Sequence, residues 1–334
     1  MNDLLTRRLT YFLSAAALFA GAHGSALALT LGGDFSGHYT AASLGSIAGL
    51  PTSYGGLTLK AGSPNTLLIG GAANTDLGLI YEVGVTRGAG NHINGFTGSP
   101  TALGTVGTYN DGGVTYGPGG VLFTSQWPVN QLGQTKPGST AEDKVIDLAV
   151  LGVAASHAAI NFVPIGFGGA GGMKLVSWED GQWYDATYSP DLNGTFNIDS
   201  VTQIDLDVST GAMDNLPGGP EGFVYIAAGN AGFTVDSLLV SEFSAGNVAA
   251  YDLDANGNPL LSTRRDFIVG LVGAEGAAID PVTGDFLFST FGGTDEVIVV
   301  QGFKVPAGVP EPTTLALLGL ALAGLGFGRR QRAG

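Results

Sequence analysis

An all-β fold is predicted by three observations on the 334-residue sequence. Glycine supplies 56 residues, far above its usual share of roughly 7%, with no Gly-X-Y period. Short apolar runs of strand length are punctuated throughout by Gly, Pro, Asn and Asp, which end strands and supply turns. One unit also recurs: a Gly-rich lead, a turn, then an apolar run with leucine in its middle. It is found at 55–71 (GGLTLKAGSPNTLLIGG), 112–127 (GGVTYGPGGVLFTSQW), 165–178 (IGFGGAGGMKLVSW), 236–243 (DSLLVSEF) and 275–291 (EGAAIDPVTGDFLFSTF). The central leucines Leu68, Leu122, Leu175, Leu239 and Leu287 are spaced 54, 53, 64 and 48 residues apart.

A second apolar run follows each unit, at 78–85, 144–153, 200–208, 246–253 and 296–303. The long third interval holds an extra strand-like piece, GPEGFVYIAAG (219–229). Two strands and their loops in about 50 residues match one blade of a β-propeller. Five or six blades are therefore expected, and Gly-rich inner strands suit blades that crowd a central axis. A β-sandwich pair or a β-solenoid is the structural alternative. Residues 35–54 are placed to add a closing strand to the last blade. Ser139 with Glu142 resembles a capping box before VIDLAVL, but its place in the repeat favours a strand.

The two ends differ from the body. Arg7 and Arg8 precede an apolar run at 11–22, and Ala26-Leu27-Ala28 offers small residues for cleavage. This is the pattern of a secretory signal peptide, residues 1–28, cut after Ala28. At the other end Thr313–Gly328 is an uncharged run at the short edge of membrane-spanning length. Arg329, Arg330 and Arg332 follow it, on the side that basic residues assign to the cytoplasm.

Immediately before that run stands Val309-Pro310-Glu311-Pro312. Pro-Glu-Pro, an apolar helix and a terminal Arg cluster resemble the PEP-CTERM sorting signal of Gram-negative bacteria. The resemblance implies a sorting motif at Pro310, Glu311 and Pro312, and an exosortase-type membrane protease as partner. It implies transient inner-membrane contact through 313–328 and a destination at the cell surface or in the extracellular matrix. Members of that family accompany exopolysaccharide and biofilm production. The expected organisation is a signal peptide (1–28), a propeller-like domain (29–305) and a sorting signal (306–334).

Composition excludes several functions. There is no cysteine, hence no disulfide, thiolate catalysis or Cys-zinc site. Residues 29–309 carry 8 basic and 26 acidic side chains, a net charge of −18. Such a body repels nucleic acid and anionic lipid and attracts cations.

Few residues suggest chemistry. Gly166–Gly171 fits GxGxxG, but a strand follows it where a dinucleotide site requires a helix. His38, His92 and His157 are isolated and form no triad. Asp252, Asp254 and Asn256 before Gly257 offer alternating oxygens, as at the start of a Ca²⁺ loop. The residue that should complete an EF-hand is Thr263, and Asn256-Gly257 equally suits a plain hairpin turn. Asp205, Asp207, Ser209 and Gly211 form a weaker echo. Trp178, Trp183, Tyr184 and Tyr188, with Glu179, Asp180 and Asp185, could face a glycan or cover a core edge. Glu221-Gly222 and Glu275-Gly276 stand where blades begin; propeller lactonases hold a channel metal on acidic residues, which these two dipeptides resemble.

The sequence thus predicts an exported, non-enzymatic surface or matrix protein that binds exopolysaccharide or a protein partner. No cofactor is expected beyond Ca²⁺ at the 252–256 turn. The alternative is a lactonase-like propeller hydrolase with a metal in the central channel.

Overall fold

The computed structural model describes residues 29–155 and 157–305. The chain opens with two short strands, β1 (Thr30–Leu31) and β2 (Thr40–Ser43). Blade one is β3 (Leu57–Leu59), β4 (Thr66–Gly71), β5 (Leu79–Arg87) and β6 (Ile93–Ala102). Blade two is β7 (Asn110–Tyr116), β8 (Leu122–Gln126), β9 (Gln131–Thr135) and β10 (Lys144–Asp147). Blade three is β11 (His157–Phe162), β12 (Met173–Ser177), β13 (Trp183–Pro190) and β14 (Phe196–Ile204). Blade four is β15 (Pro220–Ile226), β16 (Ser237–Glu242), β17 (Asn247–Asp252) and β18 (Arg265–Val269), with β1 on its outer edge. Blade five is β19 (Ala274–Ile279), β20 (Phe286–Thr290) and β21 (Val297–Gln301), completed by β2. The body is a five-bladed β-propeller.

The ring closes as the sequence suggests: β2 from the N-terminal segment pairs antiparallel with β21 near the C-terminus. Phe35 and Tyr39, just before β2, pack into the core between blades four and five beside Phe233, Phe267 and Phe303. Arg87 of blade one forms a two-pronged pair with Asp280 of blade five, at 2.5 and 3.1 Å.

The core lies between blades, because both faces of each sheet are covered. Alternate residues of one strand therefore enter different interfaces. In β4, Leu67 and Ile69 face blade five while Leu68 faces blade two. In β16, Leu239 faces blade five while Leu238 and Val240 face blade three. This explains why the sequence shows unbroken apolar runs.

The repeat reading holds with corrections. All five leucines lie in the second strand of a blade, but not on one face. Leu122 and Leu175 face the preceding blade, whereas Leu68, Leu239 and Leu287 face the following one. A one-residue shift in a period-two strand reverses the face. The piece at 219–229 is no extra strand: it contains β15, the inner strand of blade four. The 64-residue interval comes from the long β13–β14 hairpin and the connection after it. The runs at 144–153 and 200–208 contain outermost strands β10 and β14 rather than third strands. Glu142 caps no helix; its Oε1 accepts from Gln126 Nε2 at 2.7 Å and Thr124 Oγ1 at 3.1 Å.

Among the described residues no helix is long and apolar enough to cross a membrane. The signal peptide, the 313–328 span and Pro310, Glu311 and Pro312 lie outside the described residues.

Candidate functional site

The inner strands all start at one end of the axis, and four carry a bulge there: β7 between Asn110 and Val114, β11 between His157 and Ala159, β15 between Pro220 and Phe223, β19 between Ala274 and Ala277; those in β7, β15 and β19 hold an acidic residue. A bulge re-aims side chains that a regular strand would send into a sheet face. Here it brings Asp111, Glu221 and Glu275, from three different blades, to one place. The glycines beside them permit the approach. A β-carbon on Gly276 would lie 2.6 Å from Gly56 Cα, and one on Gly112 would lie 3.0 Å from the Glu221 carbonyl carbon. Second-strand serines satisfy the bulged amides. Gly113 N–H donates to Ser125 Oγ at 2.8 Å and Gly276 N–H to Ser289 Oγ at 2.9 Å. Each hydroxyl then donates to the neighbouring blade, at the carbonyls of Ala158 and Gly55, both at 2.6 Å.

One carboxylate oxygen from each of Asp111, Glu221 and Glu275 lies within 4.8 Å of the others. The three residues are 1%, 6% and 1% exposed. Asn74, with its amide turned to satisfy its neighbours, donates to Asp111 Oδ1 at 3.0 Å. With all three ionised, both carboxylate oxygens of Glu275 and Oε2 of Glu221 have no donor among the described residues; Asp111 and Glu275 lie close enough to share a proton. None of the described ion pairs includes a member of the triad. Burial pushes the Asp111 carboxyl up to about 7. Burial first, then the neighbouring carboxylates, holds Glu221 and Glu275 well above the ordinary range. Three buried like charges without a countercharge are not tolerated; protons or a cation must offset them.

Above this floor opens a pocket of about 190 Å³ walled by Trp127, Trp178, Phe243 and Phe291. Each aromatic is the residue after the second strand of its blade, in blades two to five. Blade one has Ala72 there and contributes Asn74 instead. Trp178 meets Phe243 edge-on at 6.3 Å, and Phe243 meets Phe291 at 6.0 Å, so the wall is continuous on that side. The Trp178 indole N–H is buried without a partner.

The sequence reading found part of this. Glu221 and Glu275 sit together as their Glu-Gly dipeptides suggest, and Trp178 reaches the pocket. Asp111, Asn74, Trp127, Phe243 and Phe291 were missed. Their signal was available: four of the five repeats close on an aromatic, in SQW, SW, SEF and STF, and Asp111-Gly112 aligns with the two Glu-Gly pairs.

The remaining candidates are dispersed. Trp183 is buried and donates to Asn258 Oδ1 at 3.0 Å; Tyr184 donates to Gln182; Tyr188 donates to the Gly171 carbonyl. Asp252 pairs with Arg265 at 3.2 Å. Asp254 Oδ1 accepts the backbone N–H groups of Asn256 and Asn258, both at 2.8 Å, which ties the turn to itself. The two carboxylates thus turn to different partners. That turn also explains the GxGxxG stretch. A β-carbon on Gly168 would lie 2.4 Å from the Ala255 carbonyl oxygen, and one on Gly169 2.2 Å from that of Asn256. The glycines admit the blade-four turn against blade three. His92 pairs with Asp285 at 2.7 Å, His157 is buried in β11, and His38 lies on a surface loop.

Fold and site define an all-β propeller with an acid-floored, aromatic-walled mouth at one end of its axis. The chain carries, at residues 308–332, a match to the family of PEP-CTERM protein-sorting motifs. This motif implies export and processing by exosortase. No curated protein matches the chain. Among solved structures it is similar to glutaminyl cyclase from Myxococcus xanthus, at 12% identity, covering 79% of this chain and 95% of that one, with TM-score 0.45. It is also similar to a streptogramin B lyase, at 10% identity over 79% and 98%, with TM-score 0.37. A PQQ-bound aldose sugar dehydrogenase from Streptomyces coelicolor shows 14% identity over 77% and 83%, with TM-score 0.38. Nothing about this chain's chemistry follows from likeness at that level.

Proposed function

We propose that this exported propeller is a non-enzymatic binding protein of the cell surface or matrix, and that its mouth pocket takes a carbohydrate such as a segment of exopolysaccharide. The observation that carries this reading is the aromatic wall set directly over a carboxylate floor. Ring faces stack on the apolar faces of sugar rings, while carboxylates meet hydroxyls. The placement of the mouth agrees. The inner strand β19 runs away from it, β20 returns and β21 runs away again, so the described chain leaves at Val305 on the opposite face. The test is titration of the purified protein with exopolysaccharide from its host. Affinity should fall at least tenfold in Trp178→Ala and stay unchanged in Leu192→Ser, a fully exposed hairpin position. Equal affinity in parent and Trp178→Ala overturns the reading.

A second reading, a propeller hydrolase, is favoured by the triad itself, because a cation held there can polarise a carbonyl. Turnover of lactones or esters by the purified protein, lost in Glu221→Gln or Glu275→Gln, would establish it.

A further inference from the structure

We infer that Asp111, Glu221 and Glu275 form a binding site for a hard divalent cation of the calcium class, with open coordination positions facing the aromatic pocket. The inference deepens the carbohydrate reading by naming what the pocket floor holds. Four observations carry it.

First, the donors are all carboxylate oxygens, without histidine or cysteine, which suits calcium and disfavours zinc and copper. Second, no two of the three converging oxygens are farther apart than 4.8 Å. That is the width of the oxygen shell calcium draws at about 2.3–2.6 Å. Third, Glu275 and Glu221 are more than nine-tenths buried, yet three of their four carboxylate oxygens have no donor. Both residues line the pocket, and these oxygens lie buried at its floor, closed off from bulk solvent. The other buried carboxylates among the described residues each have a donor, although Asp285, paired with His92 through Oδ2, leaves Oδ1 without one. Asp280 has Arg87, and Glu242 has Arg264 and the Tyr251 hydroxyl. Fourth, the bulges that create the site occur in three separate blades and need glycine beside each acid. The convergence is therefore built into the architecture and is no accident of one loop.

Through one oxygen each, the three carboxylates supply three of the six to eight oxygens calcium requires. The remaining positions point into the pocket, where water or paired hydroxyls of a sugar complete the shell. Asn74 braces Asp111 from the side.

The test uses calcium alone, without carbohydrate, so its outcome is separate from that of the polysaccharide titration. Thermal melts of the purified protein should shift upward with millimolar calcium, and Glu275→Gln should abolish the shift. In chelator, Glu275→Gln should melt above the parent, because it removes a buried carboxyl that has no donor. The order of the two melting temperatures thus reverses when calcium is added. A readout on the parent alone guards against a variant that fails to fold. Terbium luminescence excited through Trp127 and Trp178 should appear on binding and be displaced by calcium. No calcium-dependent shift in the parent, an equal shift in Glu275→Gln, or a response to zinc without calcium overturns the inference.

Discussion

Gly222 lies so close to Glu275 that a β-carbon at 222 would stand 2.4 Å from the Glu275 carbonyl oxygen and 2.7 Å from the Ala277 nitrogen. The inner strands of blades four and five thus touch backbone to backbone, and this approach seats Glu221 and Glu275 side by side.

Gly222→Ala should therefore cost about 3 kcal/mol or more, because the obstacle is main chain that cannot swing aside. Gly37→Ala, where a β-carbon meets nothing within 4 Å, should stay within about 0.5 kcal/mol of the parent. Urea unfolding of both proteins checks the contrast, and similar midpoints would refute it.

That contrast marks what was legible in the sequence. Strand rhythm, the closing strand and the place of Glu221 and Glu275 follow from local pattern, because blades repeat and turns need Gly and Asn. The face of each leucine was not legible, since a one-residue shift moves Leu122 to the opposite interface without changing its strand. Asp111 was also hidden. Asp111-Gly112 stands where the two Glu-Gly pairs stand in their repeats, but aspartate in place of glutamate masks the match, and only closure of the ring brings the three together. At the 252–256 turn, where the sequence suits either a cation or a plain hairpin, Asp252 pairs with Arg265 and Asp254 accepts the turn's own amides.

The ring seam should depend on Arg87 and Asp280. Arg87→Ala leaves the Asp280 carboxylate buried without its countercharge, at a cost of about 3–5 kcal/mol. The double variant Arg87→Ala with Asp280→Asn should recover part of that loss. Chemical denaturation measures both, and a double variant no more stable than Arg87→Ala alone would show that the pair is not what matters.

Stability should fall as pH rises above 6.5 when calcium is chelated. Asp111 is raised from 3.8 to about 7 in the folded protein. A carboxyl raised on folding contributes fully below its unfolded value and loses that contribution as pH rises through the folded one. His157 acts in the opposite sense. Burial lowers it from 6.5 to about 4, so its contribution is complete above 6.5 and is lost as pH falls through 4. The two oppose each other between 4 and 6.5, and above 6.5 only the triad's slope remains. Melts in chelator from pH 6.5 upward should show a declining Tm, shallower in Asp111→Asn. A flat parent curve contradicts the burial of the triad.

The mature protein from its native host should lack most of 313–334, as the match at 308–332 implies processing, and residues 1–28, whose charge and hydropathy pattern is that of a signal peptide. Intact-mass measurement checks this, and a mature form with a complete C-terminus would contradict it.

The central claim is that ligand chemistry resides at the carboxylate floor of the mouth. Its most direct test is anomalous-difference density from crystals of the protein grown in calcium. The account predicts one strong peak between Asp111, Glu221 and Glu275, with added oxygens on the side of Trp178 and Phe243. Density at the Asp252–Asn256 turn with none at the mouth would contradict it.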